Sequence, residues 1–198
     1  NFNISMDVYE NLSKKKESDK YTFIYPNFDI EKELENNLDM PGNFTLSSEG
    51  YQKKYNTNEY DGVLINNLLY SNSFFDSKGI KSDYKLLIKN INSKGQNSSN
   101  FKNEEDAQIL PIASYKFTYP LKKELKKIKQ LITPIAVFSF SPTSSKSLTK
   151  NDERIDINNV YSFNRIGVND AVESGLAMTI GSKYEKKYLE SDKYFSFN

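Results

Sequence analysis

Residues 159–185 read NVYSFNRIGVNDAVESGLAMTIGSKYE, and the second half of this stretch alternates. Val172, Leu176, Met178, Ile180 and Tyr184 fall on one side, with Ser174 and Ser182 between them. Glu173, Gly175, Ala177, Thr179, Gly181, Lys183 and Glu185 fall on the other. A period of two marks an extended strand with unlike faces. About 14 residues is long for a globular strand, where five or six is usual. It suits a tilted strand crossing a bilayer, because about 9–11 residues span the hydrocarbon. An apolar outer side and a small or charged inner side fit a barrel wall between lipid and water. An exposed sheet of a soluble sandwich would alternate in the same way.

Composition narrows the choice. The chain has 198 residues, enough for one domain or a piece of a larger one. Hydrophobic residues make up only 37%, yet there are 14 Tyr and 13 Phe. That is too aromatic for a disordered polymer and too polar for a helical membrane protein. A transmembrane barrel predicts it, since half of each strand faces water and aromatics gather at the interfaces. No apolar run long enough for a membrane-spanning helix is present. There is no Met-started signal segment, and the chain opens directly on a strand-like stretch, as a fragment or mature piece would. The net charge of +1 gives no pull toward nucleic acid, and no nucleic-acid partner is expected. Cys, His and Trp are all absent. Cysteine nucleophiles, Ser-His-Asp triads and His- or Cys-based zinc sites are therefore excluded, as are internal disulfides. No catalytic residue, cofactor or metal is expected, and the chain reads as a non-enzyme.

Taken in order, the chain predicts about ten strands joined by turns. Residues 2–9 alternate, and the charged residues 10–19 read as a turn. A second strand is expected over 20–25, with Pro26 demoting its continuation. Residues 28–41 read as loop or short strand, although Ile30, Leu34 and Leu38 also have helical spacing. Strands follow over 43–55 and 60–71. The second has apolar residues on both faces, the mark of a strand covered on both sides by a plug, a partner or a folded-in loop. Over 80–92, Ile80, Tyr84, Leu86 and Ile88 oppose Lys81, Asp83, Lys85 and Lys89. Such charges cost little facing a watery lumen and much in a dry interior.

Residues 90–106 read as a long polar loop, whose Glu104, Glu105 and Asp106 lack the spacing of a calcium loop. Residues 107–119 form the next strand. The basic run PLKKELKKIK over 120–129 reads as a charged hairpin in preference to a membrane-surface helix. Residues 131–140 return as a strand, with Pro134 at a bulge or at a position making no ladder bond. Residues 141–154 are loop, and a last partial strand covers 193–197. No helix is long enough to cross over between parallel strands, so the pattern is an antiparallel up-and-down meander.

The stretch 159–175, NVYSFNRIGVNDAVESG, resembles the motif N-L-F-S-x-N-R-x-x-G-x-D-x-V-E-x-G of the LPS-assembly outer-membrane protein family, LptD (also OstA or Imp). Asn159, Ser162, Asn164, Arg165, Asp170, Val172, Glu173 and Gly175 match without gaps. Val160 and Tyr161 keep the character of the family's Leu and Phe. Val168 stands where the family has Gly, and Ala171 where Arg is common. The resemblance implies that residues 1–198 are one partial domain, a segment of a large transmembrane β-barrel not closed on its own. The jellyroll domain and the terminal barrel strands would lie outside it. The location implied is the outer membrane of a Gram-negative bacterium. The implied partners are lipopolysaccharide, outer-membrane lipid, an LptE-type lipoprotein plug and the periplasmic Lpt bridge. The implied function is delivery of lipopolysaccharide to the outer leaflet.

On the residues themselves, Asn159, Ser162, Asn164, Arg165, Asp170, Glu173 and Gly175 are expected to form a lumenal or strand-end polar network. Arg165 would pair with a carboxylate across neighbouring strands. Two other functions compete. A porin or receptor barrel would not be expected to share the 159–175 motif. A soluble all-β surface or adhesion module would behave as a monomer in plain buffer.

Overall fold

The computed structural model describes residues 1–12, 20–36, 39–98, 100–143, 154–191 and 193–197. Among these described residues ten strands form one sheet. They are β1 Phe2–Glu10, β2 Tyr21–Leu34, β3 Asn43–Tyr55, β4 Tyr60–Phe75, β5 Lys81–Gln96, β6 Asp106–Thr118, β7 Leu121–Leu125, β8 Ile128–Ser141, β9 Gly175–Tyr188 and β10 Tyr194–Phe197. The order is β1-β2-β3-β4-β5-β6-β8-β9-β10, every pair is antiparallel, and the sheet is not closed into a barrel. This is the expected meander.

The extra strand, β7, is a continuation of β6. Thr118 pairs with Ile135 and Leu121 with Ile132, so the register carries across Tyr119-Pro120 unchanged. Pro134 lies opposite this break, and its carbonyl accepts from Tyr119 N–H at 3.1 Å. The N–H and C=O of one strand residue point to the same side. The missing donor of Pro134 therefore faces the break, while pairing with β9 runs on through Pro134↔Ser182. Pro134 thus makes a bond through its carbonyl and sits where its missing donor faces the break, not at a position without any ladder bond. The basic run is the hairpin of β7 and β8.

Several boundaries differ from expectation. β2 does not stop at Pro26 but continues to Leu34, with a bulge between Ile24 and Asn27 that absorbs the irregularity. No helix forms over 28–36. β5 runs to Gln96, so the polar loop shrinks to 97–105, because Asn92, Ser93 and Lys94 find ladder partners on β4. The charged turn falls partly, and the loop after β8 largely, on residues 13–19 and 144–153, which lie outside the described residues.

The two faces are chemically distinct. Leu34, Phe44, Tyr70, Leu86, Ala113, Phe140 and Leu176 are direct partners in one outer row crossing seven strands. The next strand-end row adds Tyr84 stacked on Tyr115 at 4.7 Å between ring centroids. Leu176 is 79% exposed and Ile180 69%, and Leu86, Ile88 and Met178 are exposed too. Among the described residues no second sheet covers them. The other face carries charged and hydroxyl side chains around a small apolar centre: Val63, Ile65, Leu87, Ile91, Leu110, Ile112 and Val172. Six of these come from β4, β5 and β6, and the seventh from the connection between β8 and β9.

Candidate functional site

The 142–174 connection places the site. Its described part lacks strand structure and folds back over the inner face of the sheet, seating Val172 (2% exposed) in the apolar centre. Phe163 packs against the same cluster, and Lys85 Nζ stands 5.2 Å from its ring centroid. Of the two-sided cover expected for β4, the folded-in loop supplies the inner side, while Leu64 and Leu68 on the outer side stay exposed. Val172 was expected in the outer row with Leu176. The structure corrects this: β9 begins only at Gly175, whose φ of +82° turns the chain between the two residues. Positive φ favours glycine.

The motif residues hold the loop in shape. Asn159 Oδ1 accepts from Asp156 N–H at 2.7 Å, and its Nδ2 donates to Arg154 O at 2.7 Å. Asp156 Oδ1 in turn accepts from the N–H groups of Asn158 and Asn159, a local alternative to secondary structure. Ser162 Oγ lies 2.7 Å from Asn159 O and 2.6 Å from Asn164 O. The Asn164 side chain clamps the next turn, donating to Ala171 O at 2.9 Å and accepting from Glu173 N–H at 3.1 Å. Val168 stands where the resembled family has Gly. Here Gly167, one residue earlier, takes the positive φ of +68°.

Arg165 binds both carboxylate oxygens of Glu173 through Nε and Nη2, and its Nη1 donates to Thr179 Oγ1 of β9 at 3.1 Å. Donating to Glu173 raises the guanidinium pKa further, partly offset by burial. A two-pronged charged pair of this kind fixes geometry as well as charge. The pairing differs from expectation in one respect. Both partners lie in the loop, and the link across to a strand is made through Thr179. Asp170 takes another role: it is buried and sits close enough to Lys89 and Tyr51 to act on both electrostatically.

Lys89 was read as facing water. It is 5% exposed, and its ammonium donates to Asn169 O. The folded-in loop removes it from solvent and supplies the acceptor that a buried ammonium needs. Gly181 on β9 is a second unforeseen element. A Cβ there would fall 1.9 Å from Tyr161 Oη, so the glycine admits the ring of the loop against the strand. Its sequence signal is a missing side chain between Thr179 and Lys183 on the inner side.

Beside the loop is a recess of about 470 Å³ lined by Asp29, Glu49, Tyr51, Val63, Asn169 and Asp170. Among the described residues no group of acidic side chains is placed to hold a metal ion. Glu105 and Asp106 are paired with Lys94 and Lys102. No family model matches this chain, and no curated protein matches it.

Proposed function

We propose that this chain is wall and lumenal loop of an outer-membrane β-barrel that inserts lipopolysaccharide into the outer leaflet. It does so without bond-making chemistry of its own. One observation carries the reading: the motif-like segment 159–175 packs on the inner side of a single sheet whose outer side carries an exposed apolar row across seven strands. A soluble sandwich would bury that surface under a second layer, and burial is worth about 25 cal/mol per Å² of apolar area. Lipid hydrocarbon satisfies it without one. The polar inner side faces the passage, in contact with lipopolysaccharide, the lipoprotein plug and the periplasmic bridge. The long connections 11–20, 97–105 and 142–174 leave one end of the sheet, which is the end facing outward.

Depletion of the protein in its own bacterium tests this. Lipopolysaccharide at the cell surface is expected to fall while newly made lipopolysaccharide accumulates behind it. Undiminished surface lipopolysaccharide after depletion overturns the transport role, and extraction without detergent overturns the membrane location.

A further inference from the structure

On the inner face, Asn43, Ser71, Lys85, Ser114, Ser139 and Ala177 are direct partners in one row across six strands. All but Ala177 carry a side-chain hydrogen-bond donor. The next inner row toward the short turns is Ser73, Asp83, Lys116, Val137 and Thr179. Where these rows cross β3, β4 and β5 there is a recess of about 470 Å³, whose lining includes Gly42, Asn43, Ser71, Ser73, Asp83 and Lys85.

The charges around the recess do not balance. Asp83 is held by Lys81 at 3.0 Å and by the Ser73 hydroxyl. Arg165, whose Nη1 reaches Thr179 of the second row, is held by Glu173. Lys85 and Lys116 remain, and neither forms an ion pair among the described residues. Lys85 pairs with Ser114, and Lys116 is two residues further on, so the two lysines are diagonal neighbours on adjacent strands. Such neighbours stand about 7–8 Å apart, close enough for two long side chains to converge. Both are half-buried, and the ring of Phe163 lies 5.2 Å from the Lys85 ammonium. The folded-in loop thereby holds this cation over the row. Two neighbouring ammonium groups without a counter-ion repel each other, and a dianion between them removes that cost. A carboxylate carries a single charge, whereas a phosphate monoester carries about −1.5 to −2 and offers three acceptor oxygens. Ser71 and Ser114 flank Lys85 in the row and bring hydroxyl donors to those oxygens. A phosphoryl group fills only part of the recess, and the rest of its hydroxyl and carboxamide wall suits the hydroxyls of a sugar.

Resting on the reading of this face as the wall of the passage, we propose that the recess binds a phosphate monoester carried by a saccharide. Lys85 and Lys116 are its cations, and the ligand is a phosphorylated sugar of the passing lipopolysaccharide. The full chain, in micelles of a phosphorus-free detergent, would be titrated with glucose phosphate and separately with inorganic phosphate. The phosphorus resonance of each ligand is the readout. Glucose phosphate is expected to broaden saturably and to bind more tightly than inorganic phosphate, which leaves the sugar wall unfilled. Lys85→Gln and Lys116→Gln are each expected to weaken binding about tenfold, as loss of a hydrogen bond to a charged group does. Lys129→Gln, on the basic hairpin away from the recess, is expected to change nothing. Absence of saturable broadening with the unsubstituted chain overturns the site, and so does an affinity that Lys85→Gln and Lys116→Gln leave unchanged. An equal loss in Lys129→Gln overturns it in favour of diffuse charge attraction. Equal binding of the two ligands overturns the saccharide. The depletion experiment judges the transport reading separately: saturable binding by a chain whose depletion leaves surface lipopolysaccharide undiminished overturns the transport role and not the site.

Discussion

The ammonium of Lys89, midway along β5, donates to the backbone carbonyl of Asn169, in the loop between β8 and β9. This bond joins the motif-like segment to the centre of the sheet, next to the buried Val172. Replacing Lys89 by Met should remove a charged hydrogen bond and leave Asp170 without its nearby cation. The expected cost is about 2 kcal/mol. Urea unfolding in detergent would reveal it as a lowered midpoint, and an unchanged midpoint would mean that the loop is held by other contacts.

Val172 and Leu176 are four residues apart and alike in character, but one is buried and the other exposed. Val172→Ala should cost about 2 kcal/mol through lost burial and a cavity. Leu176→Ala should cost much less, since no protein atoms pack around its side chain to leave a cavity. Equal losses in the two variants would return Val172 to the outer row.

Arg165 and Glu173 form a part-buried bidentate pair, so a double-mutant cycle on Arg165→Gln and Glu173→Gln should give a coupling of about 1–2 kcal/mol. Arg165→Lys should recover little of it, because a point charge cannot bind both oxygens and still reach Thr179. Additive single and double variants would contradict the pairing.

Gly181 is required by Tyr161. Gly181→Ala should destabilise the fold by about 1–3 kcal/mol, as overpacking does. In a Tyr161→Ala background the same substitution should be close to neutral, because the colliding hydroxyl is gone. A full penalty in both backgrounds would place the strain in the β9 backbone.

β1 has a partner only on β2, and residues 175–183 of β9 have none opposite β8 among the described residues. Unpaired strand edges and an exposed apolar face both favour association. The chain alone in plain buffer should therefore aggregate. A cooperative thermal melt of soluble monomer would contradict this.

Much of the strand pattern was legible because side-chain alternation is a local property of the chain. β3, β6, β8 and the basic hairpin of β7 and β8 sit close to where the period of two puts them. Pro26 misled because a bulge can absorb a proline that a regular ladder would exclude. The loop over 90–106 misled because a polar strand on a partly wet sheet looks like a loop until its partner is known. Asn159 and Ser162 bond to neighbours within five residues, a reach that local sequence sets, whereas Asn164 reaches Ala171 and Glu173 only because the loop turns back on itself.

The sequence by itself determined the all-β meander and the unlike faces of its strands. Only the tertiary structure decided which face Val172 joins, what Lys89 touches and why residue 181 lacks a side chain. Those depend on a loop crossing the sheet to meet residues far away in the chain. Alternation says on which side of a strand a residue lies, but not whether water or another part of the chain is waiting there.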